Sequence, residues 1–276
     1  NMFQIQKILF PTDFSERALG ASRYVGEMAG RFQAEVRILH VVGRREDVFF
    51  APEFGGTSLM EQYEHRMLDA KKAMKSYLER EFEEFPVTRE VLEGDPGLEI
   101  VRYAARHETD LIMMPSHGYG VFRRYILGSV TAKVLHDAPR AVWTAAHTED
   151  APPMEEIAVE RVVCAIDLGP WSAKALEWAD GFAREHGAEL IVLHAVAWEP
   201  LARQAREAVD RLLEEQGRQA RVIVEEGEAA KVAQECIRRE KAQLLVIARG
   251  SAAEAGRLRT NAYAMIRSSP CPVVSV

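Results

Sequence analysis

Residues 7–42 read KILFPTDFSERALGASRYVGEMAGRFQAEVRILHVV, and residues 161–196 read RVVCAIDLGPWSAKALEWADGFAREHGAELIVLHAV. At an offset of 154 the two lie over one another without a gap. Asp13 meets Asp167, Ala21 meets Ala175, Ala29 meets Ala183, and Leu39-His40 meets Leu193-His194. A second block sets Val91-Leu-Glu-Gly94 over Val224-Glu-Glu-Gly227 and Leu111-Ile-Met-Met114 over Leu244-Leu-Val-Ile247. Its offset is 133, so the second copy is 154 − 133 = 21 residues shorter in between. A unit repeated along most of a chain is a duplicated domain, and 276 residues suit two small domains. The expected bounds are a first domain at 1–147, a polar, proline-bearing linker at 148–156 and a second domain at 157–276.

Within each copy the hydrophobic period switches. In the first, apolar runs at 8–11, 36–42, 87–92, 111–114 and 141–144 have the continuous character of parallel strands covered on both faces. Between them Ala18, Ala21, Val25, Met28, Ala29 and Phe32 recur at helical spacing. Met60, Tyr63, Met67, Ala70, Met74, Tyr77 and Leu78 predict another helix face packed on the sheet. Ser15 and Asp95-Pro96 are helix-entry signals. Strands alternating with amphipathic helices mean βαβ units, hence an α/β fold with a doubly wound parallel sheet in each half. Ligands of such sheets sit beyond the carboxyl ends of the strands, where the strand order reverses. That singles out Pro11-Thr-Asp-Phe-Ser15 after the first strand and Pro115-Ser-His-Gly-Tyr-Gly120 after the fourth. It also singles out the helix opening at Gly128-Ser-Val-Thr131, where backbone amides and hydroxyls can meet an anion.

Composition narrows the function classes. Lys plus Arg is 35 and Asp plus Glu is 42, a net charge of −7 that argues against a nucleic-acid partner. No apolar run nears the roughly 18 residues that span a bilayer, and the start lacks signal-peptide order, so the expectation is a soluble cytoplasmic protein with no membrane partner. Cys164, Cys236 and Cys271 are widely spaced, without C-x-x-C, and are expected as reduced thiols. The chain carries no H-E-x-x-H, no G-x-S-x-G and no G-x4-G-K-[ST]. A catalytic set and a metal site are therefore not expected.

These motifs resemble the universal stress protein family in its tandem form, over nearly the whole chain. The family's nucleotide-binding signature is G-x2-G-x9-G followed by Ser or Thr. Gly118, the nine residues 119–127, and Gly128-Ser129 match its last three elements, while Pro115 replaces its first glycine. Lys7-Ile-Leu-Phe-Pro-Thr-Asp-Phe-Ser15, Leu39-His-Val-Val42 and Glu93-Gly-Asp-Pro96 are also similar to the family. The resemblance implies two five-stranded sheets of the adenine nucleotide alpha hydrolase-like type, order 3-2-1-4-5, paired as an intramolecular pseudo-dimer through the last strands. A homodimer of the whole chain is a further option. It implies an adenine nucleotide as ligand, ATP or AMP, with Mg2+ as an optional companion. The residues at the matching positions are Thr12, Asp13, Val41, Met114, Pro115, His117, Gly118, Gly128, Ser129, Val130 and Thr131. Among them Asp13 would face the ribose, the backbone near Val41 the adenine, and Gly118 with residues 128–131 the phosphates. Proline at 115 brings neither an N–H nor a positive φ. The second copy keeps Asp167 but has Arg259-Thr260 in place of Gly-Ser, which reads as a degenerate site.

Each feature also has a structural reading. Asp13 can cap neighbouring amides, and Gly118 and Gly128 can serve turns alone. His40 and His194 fit satisfied core histidines better than metal ligands. Arg123 and Arg124 fit an exposed basic pair, and His117 suits either a site residue or a solvent-facing loop. Three functions remain open: a stress or signalling protein that binds an adenine nucleotide without efficient turnover, a scaffold of the same fold acting through an unknown protein partner, and a slow nucleotide hydrolase.

Overall fold

Apolar runs of four or five residues have no polar face to offer water, so the chain buries them as neighbouring strands. The computed structural model describes residues 3–43, 56–117, 127–249 and 260–276. The first half contains β1 (Lys7–Pro11), α1 (Glu16–Phe32), β2 (Glu35–Val42), α2 (Gly56–Ser76), β3 (Val87–Glu93), α3 (Pro96–Arg106), β4 (Leu111–Pro115), α4 (Ser129–Asp137) and β5 (Ala141–Ala145). The second contains β6 (Arg161–Ala165), α5 (Ser172–His186), β7 (Glu189–Val196), α6 (Ala202–Glu215), β8 (Arg221–Glu226), α7 (Ala229–Glu240), β9 (Leu244–Ile247), α8 (Thr260–Ser268) and β10 (Val273–Ser275). The strands expected from the first copy lie within one residue of these bounds at each end.

The strands form one sheet in the order β3-β2-β1-β4-β5-β10-β9-β6-β7-β8. Each half is parallel in the order 3-2-1-4-5, and the halves join where β5 runs antiparallel to β10, with Trp143 opposite Val274 and Thr144 opposite Val273. The two sheets are thus continuous, paired through their last strands. Helices α1, α2, α5 and α6 cover one face over a core that includes Phe10, Trp143 and Phe182. Helices α3, α4, α7 and α8 cover the other, over Ile112, Leu135 and Leu245. Both cores run through the seam between the halves.

Local signals explain the element ends. Ser15 Oγ accepts from the Ala18 N–H to cap α1, and Asp95 does the same for α3 with Pro96 in the first turn. Gly94 and Gly227 end β3 and β8 at φ of +140° and +143°, a region closed to other residues, which accounts for the repeated Glu-Gly. The helix over the 60–78 stripe is shifted toward its N-terminus and less covered than expected. It stops at Ser76, and Met60 remains 63% exposed while Ala70 and Met74 are buried. A 21-residue helix spans about 30 Å at 1.5 Å per residue, longer than the strands it covers, so only its C-terminal part meets the sheet.

The seam has its own chemistry. Phe3 packs edge-on against Phe32 of α1 and Trp178 of α5, and Trp178 stacks on Phe182. Glu27 of α1 sits 2.7 Å from Arg31 and 3.5 Å from the buried ring of His186 in α5. The segment after β5 forms two short 3-10 turns, and the Thr148 hydroxyl donates to the Arg17 carbonyl at 2.8 Å. A Cβ at Gly20 would stand 1.7 Å from the Thr148 carbonyl oxygen. The connection between the halves is therefore seated against α1. Among the described residues, no helix is long and apolar enough to cross a membrane.

Candidate functional site

The order β2-β1-β4 brings the ends of three strands to one edge of the first-half sheet, as the switch-point rule requires. Thr12 and Asp13 follow β1, Val41 lies near the end of β2, Met114 and Pro115 end β4, and Ser116-His117 follow. Gly128 is the N-cap of α4, and Ser129, Val130 and Thr131 form its first turn. Gly118 falls outside the described residues, as do Arg123 and Arg124. The structure brings the other ten expected site residues to this edge.

Their bonds show what each can offer. Thr12 is buried; its hydroxyl donates to Tyr77 Oη at 3.1 Å and accepts from the Phe14 N–H at 3.0 Å. Asp13 is half-buried, and its Oδ1 accepts from the Ser15 N–H at 3.1 Å and the Ser15 hydroxyl at 2.5 Å. That turn holds Phe14 at φ +62°, a left-handed conformation a bulky residue adopts only when its surroundings enforce it. The enforcing contacts are rings: Phe14 lies 4.6 Å from His40 and 5.0 Å from Tyr77. His40 is half-buried and its Nδ1 meets the Thr12 carbonyl at 2.7 Å, so the ring is satisfied, at the rim of the crevice and not in the core. Sequence reasoning missed Phe14 and Tyr77 as the supports of this loop. The repeated His40 was the available signal for them.

The α4 side of the site is tied down from β4. The Gly128 N–H donates to the Ser116 carbonyl at 2.9 Å, and the Thr131 hydroxyl donates to the Pro115 carbonyl at 3.1 Å. The helix start is fixed to the strand end, and the Thr131 proton is already engaged. The amides of Ser129, Val130 and Thr131, which no helical carbonyl can reach, remain the anion-facing donors. Gly128 has φ −60°, and a Cβ there would lie 3.4 Å from the Ser116 carbonyl oxygen, an ordinary van der Waals contact, so neither its backbone conformation nor its described neighbours require glycine. His117 is 8% exposed, which removes the solvent-facing alternative, and its Nδ1 meets Ser116 Oγ at 2.8 Å.

The sequence profile of the universal stress protein family matches residues 4–145 and again residues 158–205. The chain belongs to the universal stress protein family. Two universal stress proteins of Methanocaldococcus jannaschii are similar to it. One is 33% identical over 150 residues, taking in 50% of this chain and 92% of the relative; the other is 32% identical over 133 residues, taking in 48% and 77%. A solved universal stress protein from Archaeoglobus fulgidus shares the fold over 99% of this chain and 98% of its own, with TM-score 0.76 at 22% identity. A functionally unknown protein from Pseudomonas aeruginosa does so over 99% and 92%, with TM-score 0.66 at 18% identity.

This universal stress protein keeps the same local turn in its second half. Asp167 Oδ1 accepts from the Gly169 N–H at 2.9 Å, Leu168 sits at φ +58°, and His194 Nδ1 meets the Ile166 carbonyl at 2.9 Å. A cleft of about 210 Å³ opens there, with Asp167, His194, Ala248 and Asn261 in its walls. The crevice has therefore survived where the glycine signature has not. Residues 250–259, including Arg259, lie outside the described residues, and Thr260 begins α8. Among the described residues no group of His, Cys, Asp or Glu could hold a metal ion. The cysteines are unpaired; burial pushes the Cys164 and Cys271 thiols up to about 12 and Cys236 to about 11, so they stay protonated at neutral pH.

Proposed function

We propose that this universal stress protein binds an adenine nucleotide, ATP or AMP, in its first half and acts as a stress-response or signalling protein without efficient turnover. One observation carries the reading: the first turn of α4, opened by Gly128-Ser129, is bonded to the end of β4 at the same sheet edge that presents Asp13. Open amides then stand across a switch-point crevice from a carboxylate, an arrangement suited to a molecule with phosphate at one end and hydroxyls at the other. Mg2+ would accompany the phosphates rather than occupy a protein-built site. Efficient hydrolysis needs a positioned water and stabilisation of developing charge, and what the described first-half residues supply is ground-state donors. Mass spectrometry of small molecules released by heating, followed by calorimetry with ATP and AMP, tests this. Support is at most one adenine nucleotide per chain, and no binding of either overturns it.

A second reading has support of its own. Pro115 brings no N–H to the signature's first position, and its carbonyl is already taken by Thr131. A protein of this fold working only through protein partners is what a negative calorimetric result would favour.

A further inference from the structure

Arg249 follows β9 at the place Ser116 takes after β4, 133 residues earlier. The two main chains behave alike there: the Ser116 N–H donates to the Ala145 carbonyl at 2.9 Å and the Arg249 N–H to the Val276 carbonyl at 3.1 Å. The side chains part company. Ser116 stays in its own half against His117. Arg249 crosses the β5–β10 seam, donating from Nη1 to the Leu135 carbonyl at 2.8 Å and from Nη2 to the Arg140 carbonyl.

Those carbonyls belong to the last turn of α4 and the loop that follows it. A nine-residue helix has too few internal bonds to hold itself, so its position is set by packing, with Val134 and Leu135 buried in the core, and by the contacts at its two ends. The start of α4 is tied to its own half through Ser116 and Pro115, and its end to the other half through a guanidinium. A cation on the last carbonyls also complements the helix dipole whose opposite end faces the proposed phosphate seat. Burial lowers the Arg249 pKa to about 10, which leaves it charged at neutral pH. It keeps this position although Arg140 and Lys174 bring like charge nearby, for both it and Arg140 depress the Lys174 pKa, after burial.

We propose that Arg249 is a positioning residue through which the second half clamps α4, so that nucleotide affinity in the first half depends on a side chain from the second. The consequence for affinity rests on the nucleotide reading above; the clamp itself does not. The test uses the full chain with Arg249→Ala and Arg249→Lys, amide hydrogen exchange and ATP titration by calorimetry. In Arg249→Ala the α4 amides should lose protection by about tenfold, the scale of a hydrogen bond from a charged donor, while β6, β7 and β8 keep theirs. ATP affinity should fall about fivefold, and Arg249→Lys should restore part of both. Unchanged α4 protection, or an equal loss through β6 to β8, overturns the clamp, and a loosened α4 with unchanged ATP affinity overturns the coupling. Failure of the unmutated chain to bind ATP or AMP overturns the nucleotide reading, and the amide measurement still decides the clamp.

Discussion

After β1 and after β6 the chain makes the same turn, with an aspartate accepting the amide two residues on, a left-handed Phe14 or Leu168, and a histidine on the strand-end carbonyl. After β4 and after β9 the likeness ends. Ser116 serves a helix that begins Gly128-Ser129, whereas Arg249 reaches into the other half and the corresponding helix begins at Thr260. The turn that builds the crevice is a local device and duplicated intact. The first copy opens the helix after β4 with Gly128-Ser129, and the second has Arg259-Thr260 in their place. The halves thus divide: the first carries the candidate site, and the second contributes a contact from Arg249 to the helix beside it.

That division assumes that the halves act as one body, and the largest expected effect tests it. Trp143 is 1% exposed in β5 opposite β10, and Trp143→Ala should cost about 3–5 kcal/mol. Chemical denaturation should show both halves lost in a single transition; two separate transitions would break the comparison. Next in size is Glu27→Gln at the α1–α5 seam, where loss of the charged partner of Arg31 and His186 should cost about 1.5–3 kcal/mol at pH 7. Burial raises the Glu27 pKa, but its bonds and charges with His186 and Arg31 outweigh burial and leave it lowered. A lowered folded value gives stability that is fully present above the unfolded carboxylate value of about 4.3 and is lost as pH falls through the folded one. The variant and the parent should therefore converge in acid, and a gap unchanged from pH 7 to pH 3 would remove the ion pair from the account.

Smaller effects sharpen the contrast between the clefts. Gly128→Val should weaken ATP binding by at least about tenfold, or 1.4 kcal/mol, while Asp167→Ala changes it by less than about twofold. Calorimetry finding two equivalent sites, or a single site sensitive only to Asp167, would reverse the assignment. The smallest effect expected is none: His117→Ala should leave any ATP turnover unchanged and below about 1 s⁻¹, the low end of ordinary enzymes. Multiple-turnover assays showing a faster kcat that collapses in this variant would make the protein an enzyme.

The sequence by itself determined the duplication, the strand positions of the first half to within a residue, the helix caps at Ser15 and Asp95, and the sheet edge where the candidate site residues gather. All of these rest on local pattern: the period of apolar residues, capping types, and the repeat of Asp and His at matching places. It overestimated the reach of the 60–78 stripe, because periodicity marks a face without saying whether a neighbour is long enough to cover it. Tertiary structure alone decided the rest. The resemblance implies pairing through the last strands, but the register of β5 on β10, the seating of the 148–156 segment on Gly20 and the burial of His117 appear only in the folded molecule. Arg249 is the clearest instance. Its side chain meets a carbonyl 114 residues away, and an arginine just past a strand looks alike in sequence whether it faces water or caps a distant helix. Which of these it does depends on the packing across the seam, and no local pattern encodes that.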